Sequence, residues 1–465
     1  MRRSSFALAP VAALLGLVLA GCALSPPPGR SETDAAIYTG KALPAGWTSA
    51  PTVAYADWMG LAPEPELVAL VTEGLDQSQS LQGLAAQVQA AGERITVARG
   101  PVLPRIGLDA STQRDFKDNS NILTAGLFGI TWEIDLWGRI RYGAAAAEET
   151  YFSAADDYQF ARLSLAAAIG KTWYATIEAD AQLRYLGESR DAAAALLKLT
   201  DKRVEVGAAN PYEAAQLRRA LAESERQLEA AKLAVRQSRL ALETLVGRQP
   251  QGVIPVGAQL PTVGAEIPGG LPAELLERRP DVRAAERRAR AAFNVARGAD
   301  AARLPRLTLT FGLNGISSDI YVLRDVQNPS IAGGVGLGIP LYTGGALEAD
   351  ARARSAEQEA ARAFYLDKAQ KVFGEVEQKL SANISLIEQL DAQRSQLAAA
   401  RQALAIRKTQ REVGQVDDRA VLNEQLNVLA QESALAKLQS RQIAERIDLQ
   451  LALGGPLGMQ PARSD

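Results

Sequence analysis

The stretches RVEVGAANP at 203–211 and REVGQVDDR at 411–419 decide the fold. Each ends a long helical run in a glycine, Gly207 and Gly414, and the two glycines are 207 residues apart. The same offset carries Gly247 onto Gly454 and Gly138, in TWEIDLWGR at 131–139, onto Gly345, in GIPLYTGG at 338–345. Upstream, Leu103-Pro104-Arg105-Ile106 matches Leu304-Pro305-Arg306-Leu307 at an offset of 201, so the second copy carries a longer loop. Four landmarks in one order make the chain two copies of one unit, and a repeat governs every later assignment.

Each unit reads helix, strand, strand, long helix, shorter helix. In the second copy Leu307, Leu309, Phe311 and Leu313 alternate with Arg306, Thr308, Thr310 and Gly312, the period-two pattern of a strand with one apolar face. Its partner sets Ile331, Val335, Leu337, Ile339 and Leu341 against Ala332, Gly334, Gly336 and Gly338. In the first copy Ile106, Leu108 and Ala110 oppose Arg105, Asp109, Ser111 and Gln113. Strands of about ten residues with one apolar face suit a membrane barrel or a half-buried hairpin. Four strands do not close a barrel, and open sheet edges are not tolerated in lipid. Strands that span the bilayer must therefore come from several chains, and three copies supply twelve.

No proline interrupts 143–207 or 346–414, so each long helix spans about 95–100 Å at 1.5 Å per residue. Shorter runs, about Leu81 to Val102 and Val282 to Leu304, precede the hairpins. Leu217, Leu221, Ser224, Leu228, Ala231, Val235, Ser238, Leu242 and Leu245 then alternate by four and three, and Leu422, Leu426, Leu429, Ser433, Ala436, Ser440, Ile443 and Ile447 do the same. That is heptad packing with small residues interleaved. About 85 alanines in 465 residues suit closely packed helices.

Composition removes several functions. The chain has no histidine, the usual proton shuttle and metal ligand. One cysteine permits neither an internal disulfide nor a thiolate metal cage. A net charge of −2 lacks the basic surface that nucleic acid requires. No P-loop or nucleophile elbow is present, so an enzyme is disfavoured.

Arg2 and Arg3, the apolar run Val11 to Ala20 and the small residues before Cys22 form an export signal. The run is too short to span a bilayer. The arrangement resembles the bacterial lipobox, which implies cleavage after 21 and a diacylglycerol plus an N-acyl chain on Cys22, with no other cofactor. Ala23 follows where an aspartate would mark inner-membrane retention, which favours the outer membrane. Ser25-Pro26-Pro27-Pro28-Gly29 reads as an extended tether.

The lipobox, TWEIDLWGR, LLERRPDVRAAERR at 275–288, GIPLYTGG and LALGG at 451–455 together resemble the outer-membrane efflux protein family, in its lipoprotein branch. The similarity runs from about Pro65 to Gly455. It implies a mainly α protein with membrane β. In this homotrimer each subunit gives four strands to one 12-stranded β-barrel, which continues into a long periplasmic α-helical barrel. The implied organisation is a signal over 1–21, a tether over 22–64, repeat one over 65–250, a linker over 251–270, repeat two over 271–455 and a disordered tail over 456–465. Repeat one holds strands at about 104–114 and 122–137 and helices at 143–207 and 211–247. Repeat two holds strands at about 305–315 and 331–342 and helices at 346–414 and 418–454. The implied function is a passive exit duct of a tripartite pump in a Gram-negative outer membrane. Its implied partners are outer-membrane lipid, a periplasmic adaptor and an inner-membrane transporter of the resistance–nodulation–division class. A type I secretion conduit and a lipid-anchored coiled-coil structural protein without a pore are the alternatives.

The turns holding Gly207, Asn210 and Pro211 and Gly414, Asp417 and Asp418 lie farthest from the strands and are candidates for adaptor docking. In the family, charges near the second turn help close the aperture, so Asp417, Asp418 and Arg419 are the gate candidates. In a trimer the two aspartates supply six carboxylates around the pore. Asp417 and Asn210 are also good N-caps, with Pro211 at the first helical position and Glu213 completing a box-like pattern. The family's usual Asp-Ala-Gln is here Asn423-Glu424-Gln425, and Asn210-Pro211 replaces a frequent serine. Trp132 and Trp137, with Gly138 and Gly345, mark the strand-to-helix junctions and fit either an interfacial aromatic belt or local packing. The basic run 277–293 reads as a solvated helix face balanced by nearby acids.

Overall fold

The structure, a computed structural model, describes residues 53–54, 64–114, 122–264, 267–269, 277–318 and 330–454. The signal, Cys22 and the tail 456–465 lie outside these residues. In chain order the elements are β1 (Val53–Ala54), α1 (Pro65–Gln77), α2 (Gln79–Arg99), β2 (Arg105–Arg114), β3 (Ile122–Ile134), α3 (Arg139–Glu205), α4 (Pro211–Val246), β4 (Pro268–Gly269), α5 (Pro280–Ala301), β5 (Arg306–Ser318), β6 (Ser330–Gly338), α6 (Ala346–Glu412) and α7 (Asp418–Ala452). Among the described residues no helix is long and apolar enough to cross a membrane.

The repeat is written into the backbone. Gly138, Gly207 and Gly247 have φ of 80°, 71° and 89°, and their counterparts Gly345, Gly414 and Gly454 have 79°, 75° and 98°. At the hairpin turns this left-handed residue lets Ala208 N–H reach the Arg203 carbonyl at 2.7 Å and Gln415 N–H reach Gln410 at 2.8 Å. The helices therefore stop at Glu205 and Glu412, two residues before the expected 207 and 414, because the turn's own hydrogen bonds replace the helical ladder.

Other ends move for equally local reasons. Helix α3 begins at Arg139, four residues before 143, because Asp135 accepts from Ile140 N (3.1 Å) and Arg141 N (2.9 Å) and caps it from a distance in sequence. Strand β3 stops at Ile134 rather than 137, since its ladder partner β5 starts at Arg306 and Ile134 already pairs with Leu307. Strand β6 ends at Gly338 rather than 342, opposite Arg306, and Pro340 brings no N–H to extend it. Strand β5 runs past 315 to Ser318 because β3 offers Leu123 as its partner. Helices α4 and α7 end at Val246 and Ala452, just inside 247 and 454.

The chain divides into two contact units. The first draws on Ala85–Asp157 and Val282–Lys368. It holds a four-stranded antiparallel sheet in the order β2-β3-β5-β6, so the two hairpins join through β3 and β5. Register puts Ile106, Ile130 and Phe311 on one rung, Leu108, Phe128, Leu313 and Ile331 on the next, and Trp132, Leu309 and Val335 on a third of the same face. The opposite face carries Arg105, Thr131, Thr310 and Gly334, then Gly107, Gly129, Gly312 and Ala332. On the apolar face Ile106 is 67% exposed, Leu108 74% and Ile331 71%.

The second unit, from Leu43–Leu84, Tyr158–Asp281 and Ala369–Asp465, holds the main hydrophobic core. Leu67, Leu70, Ile169, Trp173, Ile177, Leu242, Val246, Ile443 and Ile447 are buried together there. None of the seventeen heptad positions named above in α4 and α7 is exposed. The linker between the repeats packs onto this unit through its described residues. Ile254 and Val263 enter the core, Arg446 donates to Gly264 O at 3.1 Å, and β4 pairs in parallel with β1. The tether thus includes a short strand. Proline and glycine spelled a connection, but they could not show that its few apolar side chains are buried.

The basic run 277–293 also differs from a solvated face. Arg279 and Arg290 are both 3% exposed. Arg279 binds Asp281 at 2.8 Å, Glu375 at 2.7 Å and the Ala452 carbonyl at 3.0 Å. In the first unit Arg283 pairs with Asp156, Arg287 with Glu149, Arg288 with Asp157 and Arg290 with Glu286. A buried guanidinium persists because opposite charges and carbonyls replace its water.

Candidate functional site

The strands hold the first group of candidate residues. Alternation leaves one face of the sheet apolar and exposed and the other a floor of glycine and threonine with a few charges. In a membrane barrel the first face meets lipid and the second the lumen. The base of the sheet is fastened by two indoles. Trp132 Nε1 donates to Val102 O at 2.9 Å and Trp137 Nε1 to Pro305 O at 2.7 Å, each securing a helix-to-strand connection. Both tryptophans thus hold the junctions, and Trp137 remains 42% exposed. Glu133 takes two bonds from Arg139 Nη2 at 2.9 Å, tying β3 to the start of α3.

The hairpin turns hold the remaining candidates. Asn210 caps α4 by accepting from Tyr212 N at 2.9 Å, with Pro211 at the first position. Asp417 caps α7, accepting from Ala420 N at 3.3 Å. Glu213 does not complete a capping box; its carboxylate accepts from Arg419 Nη1 at 2.9 Å. Arg419 also binds Asp417 at 3.0 Å, and Asp417 receives Arg203 at 3.1 Å. Asp418 pairs with Arg411 at 2.7 Å. Burial pushes the Asp417 carboxyl up, but the Arg419 bond, the Ala420 N–H and the charges of Arg419 and Arg203 outweigh it and hold the group below its ordinary value.

The structure therefore brings Asp417 and Arg419 together with Gly207's turn and places Asp418 on a separate pair. Within the subunit both carboxylates are ion-paired, Asp417 with Arg203 and Arg419 and Asp418 with Arg411. Sequence reading missed Arg203, Arg411 and Glu213 as partners. The Glu213–Arg419 and Arg203–Asp417 pairs join residues 206 and 214 apart, close to the repeat length, a relation that neither hairpin shows alone. Among the described residues no group of three or more histidine, cysteine, aspartate or glutamate side chains is placed to hold a metal.

A family model, outer membrane efflux protein, matches residues 70–248 and 271–455. The pyoverdine export outer membrane protein OpmQ of Pseudomonas putida is 30% identical over 95% of this chain and 96% of its own length. The outer membrane protein OprJ of Pseudomonas aeruginosa is 27% identical over 98% and 97%. Among solved structures the outer-membrane channel OprN superposes with a TM-score of 0.78 at 21% identity, over 93% of this chain and 99% of that one. The fold is accordingly mainly α with membrane β, four strands per subunit entering a trimeric 12-stranded barrel that continues into a periplasmic helical barrel. The protein is an outer-membrane channel, the exit duct of a tripartite efflux pump. Matched in both halves by one model and aligned end to end with curated efflux proteins, the chain belongs to the outer membrane efflux protein family.

Proposed function

We propose that the duct conducts small molecules passively and that its hairpin tips both dock the pump and close the passage. The observation that carries this reading is the pair of cross-ties, Arg203–Asp417 and Arg419–Glu213, which staple the first hairpin turn to the second. A closed aperture needs its hairpins held together by contacts that a partner can replace. Exposed and half-exposed ion pairs suit that task, since each contributes only about 0–1 kcal/mol. The partners are a periplasmic adaptor, meeting the turns at Gly207, Asn210, Pro211 and Gly414, and an inner-membrane transporter of the resistance–nodulation–division class, which supplies the energy. Pyoverdine and toluene, named for relatives, illustrate the range of cargo in the family. Cys22 carries the lipid anchor, and replacing it with alanine abolishes labelling by radioactive palmitate; retained label would remove the anchor from the account.

The gate is tested in planar bilayers. Asp417→Ala removes a cap and a cross-tie together, so Arg419→Ala and Asp418→Ala are measured beside it. The expected result is a larger open probability in Asp417→Ala and Arg419→Ala and a smaller rise in Asp418→Ala. Wild-type opening in all three would eliminate the gate.

A further inference from the structure

Two arginines stand at the base of the sheet. Arg105 opens β2 and Arg306 opens β5, and they stand at matching places in the two copies, LPRI and LPRL. Both are exposed, and neither has an ion-pair partner among the described residues. Register puts them on the glycine-and-threonine face: Arg105 lies opposite Thr131 and Arg306 opposite Gly338, with Thr308, Thr310 and Gly334 around them. A Cβ added at Gly107, Gly129 or Gly338 would meet nothing within 4 Å, so the floor about the two guanidiniums is open.

Other charges do not cancel them. Glu133 shares their face but is taken up by Arg139 through both carboxylate oxygens. Asp109 is four residues along β2, about 13 Å at strand rise. That exceeds the screening length of about 8 Å at physiological salt. The periplasmic base of the lumen therefore carries two uncompensated positive charges per subunit.

We infer that Arg105 and Arg306 form a ring of six guanidiniums in the trimer, a selectivity ring that admits anionic cargo and anions in preference to cations. The inference rests on the duct reading, which supplies the barrel and its threefold repetition. Rings of arginine or lysine act this way in anion pores, because a guanidinium offers a fixed fork of donors to carboxylate, sulfonate or phosphate oxygens. At the tips each aspartate meets an arginine. At the sheet base the two arginines lie opposite Thr131 and Gly338, with no ion-pair partner among the described residues.

The test uses the full-length protein purified in detergent and a trisulfonated pyrene dye as the anionic probe. The dye enters from the barrel side, so closure at the tips does not interfere. Fluorescence anisotropy should show dye binding that weakens as salt rises. In R105Q/R306Q binding should drop by roughly tenfold or more, the scale on which a focused field raises local ion concentration. R105K/R306K keeps the charges and should keep most of the binding. An unheated gel run in parallel separates the failures. If the protein is trimeric and the dye binds R105Q/R306Q as it binds the wild type, or binds neither, the ring is overturned and the duct stands. If the protein is monomeric at every temperature, the duct reading falls and the ring with it.

Discussion

Replacing Glu243 by glutamine should release the inter-repeat segment. The Glu243 carboxylate is 2% exposed and accepts four backbone N–H groups: Gln251 at 2.5 Å, Gly252 at 2.6 Å, Val253 at 2.9 Å and Ile254 at 3.0 Å. Burial alone would raise its proton affinity, but the four donors win and hold the carboxyl below the ordinary value. Glutamine has one carbonyl oxygen for at most two of those donors and turns an amide NH₂ toward the others. Two N–H groups, at least one of them in a partly buried bond, lose their acceptor at about 1–3 kcal/mol each, so the cost is about 3 kcal/mol once the charge assistance is counted. Ile254 and Val263 then leave the core, and the bond after Arg248 opens to trypsin. If cleavage follows the open population, 3 kcal/mol corresponds to roughly a hundredfold faster cut at Arg248. Glu73→Gln is the control. It removes only the Arg248–Glu73 pair at 2.6 Å, a partly exposed contact, and should change the rate by less than about fivefold. Cleavage of Glu243→Gln at the wild-type rate would refute the reasoning. The sign with pH agrees: a depressed carboxylate contributes stability above its unfolded value, which is lost as pH falls through the lower folded one.

Asp156 behaves the other way. Burial lifts it to about 6, although Arg283 and Arg287 pull it down. The folded state therefore takes up this proton first, and stability from the group grows as pH falls from about 7 toward 4. Asp156→Asn should lose that dependence, worth at most about 3 kcal/mol, in thermal melts across the range; parallel melting curves for the two proteins would contradict it. Ile443→Ala, at a core site with 0% exposure, should cost about 2–5 kcal/mol by denaturant unfolding, whereas an unchanged midpoint would mean the α7 seam is not packed as described.

Much of the fold was legible because its signals are local or repeated. The glycines at 138, 207 and 247 and at 345, 414 and 454 require left-handed backbone, and the seam from Leu217 to Leu245 announces which side of α4 is covered. Alternation from Leu307 to Leu313 was equally readable. What stayed hidden depends on neighbours distant in sequence. No period says that β3 pairs with β5, that Asp135 caps α3 from beyond a turn, or that Glu243 folds 251–254 onto the core. The gate aspartates were visible beside Gly414. Arg203, the partner of Asp417 from the other hairpin, was not, since side-chain pairing across two hairpins leaves no mark in either hairpin alone.

The central claim is that three copies of this twice-repeated unit close one barrel. The mass of the detergent-solubilised full-length protein tests it most directly. A single species of three chains, reduced to one chain only on boiling, is the predicted result. A species of one chain before heating would contradict it, because a four-stranded sheet with two open edges has no place in a membrane.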